Sequence, residues 1–426
     1  MKIKVTDKTY AEVMSLPQPK KEKPKKINIF FRTLVKVLSH INLKGNNMSY
    51  REHGMEKLGK NEPCLVLMNH SSFIDLQIAA DYLYPRPFST VCTTDAYAGK
   101  AWLMKQIGCI PTQKFVSDLS LIKDMSYALN ELGTTVVMYP EAGYSFDGTA
   151  TTLPDSLGGL LKLLKVPVVT VITHGAFTRE PLYNMLRHRK VDISADVTYL
   201  LSPEQIQKMS TDELNDAIKK AFTFDAFRWQ QENNIIINED FRADGLERVL
   251  YKCPHCLAEG QNVGKGVTIH CNNCGKTYEL TKLGALKATD GDSAFTHVPD
   301  WYAWERACVK DEIVRGEYLL DVDVDVYMLI DYKGIYRVGE GRLKHTEEGF
   351  HLTGCNQELD YFQSSLSSYS LNADYFWYEI GDVISIGNKR HLFYCFPKGN
   401  DVIVAKARLA AEELYKIKRA EKRAQK

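Results

Sequence analysis

The chain has 426 residues, of which 44% are hydrophobic and 25% are charged, a composition that leaves room for two or three soluble domains. Its formal net charge of +1 argues against bulk nucleic-acid binding. The sequence contains no run of about 18 apolar residues and no apolar segment of a secretory signal at its start, so neither a transmembrane helix nor export is expected. We therefore expect a cytoplasmic protein whose ten cysteines form no disulfide framework.

The first segment, residues 1–50, is predicted to be a basic arm followed by an amphipathic helix. Residues 17–26 contain five lysines and three prolines, which indicates an extended, solvated stretch. Apolar residues then recur at helical spacing, namely Ile27, Phe30, Phe31, Leu34, Leu38 and Ile41. An apolar stripe beside a basic arm is typical of a helix at the interface of an anionic membrane. The alternative is a core helix that packs on its own domain.

Residues 51–250 alternate between predicted strands and predicted helices. Short runs rich in β-branched residues predict strands at 64–68, 88–92, 134–139, 166–172 and 191–200. One of the intervening helices is predicted to begin at a cap formed by Ser117 and Asp118 and to end at Gly133. This alternation predicts an α/β domain with a mixed sheet covered by helices.

A histidine and an aspartate stand directly after the first of these strands. In the segment Asn69-His70-Ser71-Ser72-Phe73-Ile74-Asp75, His70 lies at a predicted strand-to-helix turn, and Asp75 can fold back towards it. A neutral imidazole can take a proton from a hydroxyl if a carboxylate orients it and stabilises the imidazolium. The alternative is that His70 caps the helix while Asp75 faces solvent.

Three further segments follow in order, at residues 108–114, 139–145 and 166–170. With them, the segment from about 50 to 230 resembles the bacterial type of the glycerolipid acyltransferase family that includes lysophosphatidate acyltransferases. That family carries N-H-x4-D, G-x-I-x-x-x-R, F-P-E-G-T-R-S and an apolar V-P-V-type block in this order. The first block is complete in this chain. The cysteine-rich segment described below follows the part of the chain that resembles the family.

The resemblance implies acyl transfer from acyl-CoA or acyl-carrier protein to a lysophospholipid such as 1-acylglycerol-3-phosphate. His70 is then the general base that activates the acceptor hydroxyl, and Asp75 orients it. The substrate-binding residues implied by the matching blocks are Asn69, Lys114, Glu141, Gly143 and Ser145. An enzyme of this kind works in peripheral contact with the inner face of the membrane and uses no organic cofactor.

Departures from the family pattern put the acceptor headgroup in doubt. Lys114 replaces an arginine, which leaves a point charge without a bidentate fork. In the third block, Ala142 replaces a glycine and Tyr144 replaces an arginine, so phosphate recognition weakens unless Lys114, Lys162 or Arg179 supplies the charge. An acyltransferase-fold protein without activity, acting as a lipid-binding or scaffolding module, is the alternative function.

Two C-x2-C pairs, Cys253 with Cys256 and Cys271 with Cys274, predict a structural zinc ribbon at 251–282. Iron held by the same four sulfurs or a redox role for the pairs are the alternatives. No basic and aromatic surface pattern flanks the ribbon, so a nucleic-acid partner is not expected.

Residues 285–426 are rich in tyrosine, valine, isoleucine and turn residues. Closely spaced runs predict a β-rich accessory domain, a small barrel or sandwich, with a charged terminal helix from Asp401 onward. Its many aromatic residues are predicted to lie in the core rather than on a lipid-facing surface.

Overall fold

The computed structural model of the chain describes residues 3–116, 118–399 and 403–425. The N-terminal segment contains β1 (Val5–Asp7), α1 (Tyr10–Met14) and α2 (Ile29–Lys44). The basic arm between α1 and α2 contacts the surface of the following domain. Lys21 pairs with Asp124 at 3.2 Å, and Lys26 donates to the Leu132 carbonyl at 2.9 Å. The predicted extended arm is thus confirmed in conformation, but it lies along the surface of the following domain.

The following domain alternates strands and helices, as predicted. Its elements are β2 (Ser49–His53), β3 (Leu65–Met68), α3 (Asp75–Leu83), β4 (Phe88–Thr93), α4 (Ala101–Gln106), β5 (Cys109–Thr112), α5 (Leu119–Asn130), β6 (Thr135–Met138), α6 (Leu157–Leu164), β7 (Val168–His174), α7 (Ala176–Arg179), β8 (Ser194–Leu201), α8 (Pro203–Lys208), α9 (Thr211–Ala221) and α10 (Ala226–Glu232). The strands form a seven-stranded sheet in the order β2-β8-β7-β3-β6-β4-β5.

The sheet is mixed, because β8 runs antiparallel to β7 while β3, β4, β5, β6 and β7 are parallel neighbours. Helices cover both faces, which is why β3 is apolar at every position. Leu65 and Leu67 pack in the core on one face, and Val66 and Met68 pack in the core on the other. The five predicted strands are confirmed within two or three residues, and β2 and β5 are additional.

The helix predicted after residue 117 is α5. Asp118 caps it by accepting a hydrogen bond from the Ser120 amide at 2.8 Å, while Ser117 lies outside the described residues. Met125, Ala128 and Leu129 are buried on the predicted face. Gly133 follows with a positive φ of 59°, where glycine lowers the strain of ending a helix.

The cysteine-rich segment folds as a small antiparallel sheet of β9 (Asn262–Lys265), β10 (Thr268–Cys271), β11 (Thr277–Leu280) and β12 (Leu286–Ala288), in the order β12-β11-β10-β9. It is not an isolated module. Ile269, Tyr278 and Leu280 share one core cluster with residues of the C-terminal domain. The cysteine-rich segment therefore joins the two larger domains by packing as well as by sequence.

The last domain contains α11 (Val298–Val314), β13 (Leu320–Leu329), β14 (Ile335–Thr346), β15 (Gly349–Gly354), β16 (Leu359–Ser364), β17 (Asn372–Trp377), β18 (Gly381–Gly387), β19 (Leu392–Pro397) and α12 (Ile403–Ala424). These strands form one sheet in the order β16-β15-β14-β13-β19-β18-β17, and β1 adds to it by pairing in parallel with β14. Trp301 and Tyr375 are 1% exposed, as expected of core aromatics.

Two details of this domain differ from the sequence prediction, and the start of its terminal helix is not tested. The runs at 318–324 and 326–332 each predict a strand, but they form one strand, β13, with an irregularity between Val326 and Tyr327. The helix α11 was not predicted, because its buried face includes the charged Glu305 and therefore lacks a clean apolar stripe. The terminal helix begins at Ile403 in the structure, and Asp401 lies outside the described residues.

Candidate active site

Candidate catalytic and substrate-binding residues lie at one edge of the seven-stranded sheet. His70 follows β3, Lys114 follows β5 and Glu141 follows β6. These three strands are parallel to one another across the sheet, so their carboxyl ends meet at the same edge. That edge is where open α/β sheets bind their ligands.

His70 and Asp75 form the predicted pair. The Nδ1 atom of His70 lies 3.1 Å from Oδ2 of Asp75. The same Oδ2 accepts hydrogen bonds from the amides of Ser71 at 2.8 Å and Ser72 at 3.0 Å. Asp75 is the first residue of α3 rather than one turn inside the helix. Its carboxylate thus holds the turn and orients the imidazole at the same time.

Burial lowers the pKa of His70, and the bond to Asp75 opposes this shift. An imidazole with a lowered pKa is neutral at physiological pH and can accept a proton. Because Nδ1 faces Asp75, Nε2 is the atom left to take that proton. The side chain is 16% exposed, whereas that of Asp75 is 1% exposed. The arrangement suits a general base and its orienting carboxylate.

Two tyrosine rings enclose the His70 imidazole. Tyr139 stacks on it with ring centroids 4.4 Å apart, and Tyr144 lies against it at 4.1 Å. Tyr144 is the residue that stands in place of the family's arginine. The Tyr144 ring packs against the imidazole and so restricts the orientation of the imidazole plane.

Glu141 ties together the two loops of the site. Its Oε2 atom accepts from the His70 amide at 2.8 Å, and its Oε1 atom accepts from the Thr151 amide at 2.6 Å. The Ser145 amide donates to the His70 carbonyl at 3.1 Å. Glu141 and Ser145 are fully buried, so the structure shows them supporting His70. Their contact with a substrate stays a prediction.

Glu141→Gln is expected to lower the free energy of unfolding by about 1–3 kcal/mol, because an amide group cannot accept from both backbone N–H groups. Burial raises the pKa of Glu141 from 4.5 to about 7. Between these values the native state holds a proton that the unfolded chain has released, so wild-type stability falls as pH rises through this interval. The variant lacks this slope.

Denaturant unfolding at about pH 5 and about pH 8 tests this expectation, because the stability gap between wild type and variant must narrow at the higher pH. Glu131→Gln, at an exposed position after α5, is the matched control and should show no change in either quantity. A gap that widens with pH contradicts the assignment.

The other predicted substrate-binding residues fall into two groups. Asn69 is fully buried and bonds through its side chain to Ser71 and Thr173, so it joins β3 to β7. Gly143 is buried, and a Cβ added to it would stand 3.8 Å from the Phe115 ring, whereas the side chain of Lys114 is 13% exposed. Direct substrate contact by these three residues stays a prediction.

The side chains considered as substitutes for the missing arginine are occupied elsewhere. Lys162 donates to the Gln207 carbonyl at 3.0 Å, and Arg179 is 1% exposed and paired with Glu180. His174, at the end of β7, pairs with Asp196 of the neighbouring strand β8 at 2.9 Å. Lys114 is thus the cation among those candidates that remains beside the site.

Two residues of the C-terminal domain reach the site and were not predicted. Asp374 of β17 lies 3.9 Å from Lys114, and Arg408 of α12 donates to the Tyr144 carbonyl at 2.9 Å. No local motif marks either residue, because each is more than 200 residues away from its contact. Ala142 replaces a family glycine and has a φ of 55°. This left-handed backbone conformation is adopted more easily by glycine than by alanine.

The four predicted metal ligands come together in the ribbon. The sulfurs of Cys253, Cys256, Cys271 and Cys274 all lie within 4.8 Å of one another and could hold a metal ion. Cys253 and Cys274 are 3.8 Å apart, and Cys256 and Cys271 are 3.7 Å apart. Four sulfurs at the usual zinc–sulfur distance of about 2.3 Å stand about 3.8 Å apart in a tetrahedron, so the cluster fits zinc.

Comparison with known proteins agrees with the site. Residues 49–174 match the family model described as Acyltransferase, and this span contains all four ordered blocks. Among solved structures, the chain is similar to the crystal structure of the 1-acyl-sn-glycerophosphate (LPA) acyltransferase PlsC from Thermotoga maritima. That similarity has 14% sequence identity and a TM-score of 0.35, and it covers 45% of this chain and 77% of that chain. Residues 49–174 therefore form an acyltransferase domain, and the chain is an acyltransferase.

Proposed function

We propose that the protein transfers a fatty acyl group from acyl-CoA or acyl-carrier protein to a hydroxyl of a lysophospholipid such as 1-acylglycerol-3-phosphate. The observation that carries this proposal is the 3.1 Å contact between His70 and Asp75 at the carboxyl edge of the sheet. His70 removes the proton of the acceptor hydroxyl as its oxygen attacks the thioester carbonyl, and the thiol of the carrier leaves.

The deciding experiment follows free thiol release from long-chain acyl-CoA and from acyl-carrier protein, each with a panel of lysophospholipids. Release that depends on the acceptor, together with a diacyl product, supports the proposal. If both donors stay intact with every acceptor, the alternative of a lipid-binding module on the same fold is favoured. The donor that is consumed also identifies the carrier.

We propose that the cysteine cluster holds one structural zinc ion. Support comes from the four sulfurs, which occupy every position of a tetrahedral site and leave no open position for a substrate. Such an ion would stabilise the ribbon and the core cluster that it shares with the C-terminal domain. It takes no part in the transfer step.

We propose further that the enzyme is cytoplasmic and works on the inner face of a membrane. None of the described helices is both long and apolar enough to cross a bilayer. The apolar stripe of α2 points outward: Phe30, Leu38 and Ile41 are 66%, 60% and 67% exposed. Trp102 of α4, also 66% exposed, contacts the ring of Phe31 and extends this surface. An exposed apolar surface beside a basic arm favours the interfacial helix over the core helix.

The double substitution Phe30→Glu and Leu38→Glu is expected to weaken binding to anionic vesicles by at least about 10-fold, because both side chains lose apolar burial and gain repulsion from the lipid headgroups. Co-sedimentation with vesicles that contain phosphatidylglycerol measures the effect. Val314→Glu with Leu319→Glu is the matched control, since it adds the same charge at exposed apolar positions of the C-terminal domain. Equal vesicle binding by both double variants would contradict the proposed contact between α2 and the membrane.

A further inference from the structure

The C-terminal domain forms part of the active-site wall. Its Arg408 holds the backbone of Tyr144, whose ring packs on His70. Tyr369 contacts the ring of Phe115, with centroids 5.3 Å apart, directly beside Lys114. The part of the wall that faces the acceptor headgroup is thus built from two domains, and the charges on both determine which headgroup fits.

Asp374 is the unusual group in this wall. It is 7% exposed, and its Oδ1 atom is buried without a hydrogen-bond partner among the described residues. Its Oδ2 atom is 3.9 Å from Nζ of Lys114, which is longer than the 2.7–2.9 Å of a charge-assisted hydrogen bond. A buried carboxylate with one loose partner and one unused oxygen is costly unless a ligand completes it.

The charges beside Asp374 do not favour a phosphomonoester. Such a group carries between about one and a half and two negative charges near neutral pH, whereas Lys114 offers one positive charge. Burial raises the pKa of Asp374 to about 6, Lys114 opposes the shift and the nearby Asp95 adds to it. Arg408 is engaged by Glu412 and the Tyr144 carbonyl. A dianion next to Lys114 would therefore face the carboxylate of Asp374.

A zwitterionic headgroup matches the same charges. A phosphodiester carries a single negative charge, which Lys114 can neutralise as a point charge. An ammonium group linked to that phosphate would supply a close cation for Asp374 and a hydrogen-bond donor for its Oδ1 atom, which has no partner among the described residues. Binding would replace one loose ion pair with two close ones, without leaving a buried charge unpaired.

We propose that Lys114 and Asp374 together bind the headgroup of a zwitterionic lysophospholipid, with the phosphodiester on Lys114 and the ammonium on Asp374. This inference rests on the proposed acyl transfer, and it narrows the acceptor away from 1-acylglycerol-3-phosphate. It assigns to the C-terminal domain a specificity-determining residue that the acyltransferase blocks do not contain.

The test compares two acceptors that differ in the ammonium group. Lysophosphatidylethanolamine has it, and lysophosphatidylglycerol carries hydroxyls in its place. We expect wild type to prefer the ethanolamine lipid in kcat/KM by at least about 10-fold, because a hydrogen bond to a charged group is worth about 10- to 100-fold. Asp374→Asn should reduce this preference to near unity. Lys114→Gln should weaken both acceptors alike and keep the preference.

Asp360→Asn, the same change at an exposed position of β16, is the matched control and should keep the wild-type ratio. The ratio is measured on a single preparation, so a partly folded variant does not distort it. A wild-type enzyme that prefers 1-acylglycerol-3-phosphate, or that does not discriminate between the two phosphodiesters, overturns the inference while acyl transfer stands. A selective wild type whose Asp374→Asn variant keeps the full preference overturns it as well. Failure to acylate any acceptor refutes the proposed function itself.

Discussion

His70→Ala is expected to lower acceptor-dependent thiol release by about 100- to 10,000-fold, the range that a positioned general base contributes. The folded structure should persist, because alanine keeps the backbone bonds of residue 70 to Glu141 and Ser145, and the imidazole makes only one hydrogen bond, to Asp75. Release of thiol from acyl-CoA, followed with and without acceptor, measures the loss. Circular dichroism of the same preparation checks the fold.

Asp75→Asn separates orientation from proton transfer. The amide can still accept from the Ser71 and Ser72 amides, but it cannot stabilise the imidazolium. We expect a large loss in kcat with a smaller change in KM. His351→Ala, at a half-exposed position of β15, is the control for removing an imidazole and should leave activity unchanged. Full activity of His70→Ala would refute the assignment of the base.

Loss of the metal is expected to unfold more of the protein than the ribbon. Cys256→Ser should abolish stoichiometric zinc and lower the free energy of unfolding by at least about 3 kcal/mol, since structural zinc sites contribute about 10–16 kcal/mol in isolated fingers. The effect should reach the C-terminal domain, because the ribbon residues Ile269 and Tyr278 share a core cluster with Trp301 of α11 and Val324 of β13.

Elemental analysis and denaturant unfolding of the purified chain test this second expectation. Wild type should contain about one zinc per chain, as expected for a single four-cysteine site. Cys308→Ser is the matched control, because Cys308 is a half-buried free thiol outside the cluster. Stoichiometric iron instead of zinc would show that the cluster holds iron. If the protein keeps its full stability after metal loss, the ion has no structural role.

The sequence alone could locate the catalytic edge because the signals there are local. β3 is buried on both faces and apolar throughout, its apolar run ends at Asn69, and the next six residues contain both candidate catalytic groups. The cysteine site was equally predictable, since ligand spacing within a chain is itself the signal. Four blocks in the family's order are far more specific for an acyltransferase than any single block.

What the sequence could not predict depends on contacts between distant residues. Asp374 and Lys114 meet across two domains, and neither position has a pattern that points to the other. The helix α11 was hidden for a different reason: Glu305 lies in its buried face and accepts from the Lys252 amide at 2.7 Å, so burial there follows hydrogen bonding and not hydrophobicity.

The pairing of β1 with β14 has a consequence for assembly. Val5 to Asp7 pair with Ile335 to Arg337. In the sequence, the acyltransferase segment therefore lies between two strands of the sheet of the C-terminal domain. During synthesis, the motifs around His70 leave the ribosome well before the strand that carries Asp374 and the helix that carries Arg408. A nascent chain can therefore bring the candidate pair His70 and Asp75 together first, whereas Asp374 and Arg408 reach their contacts only after the C-terminal domain has been synthesised.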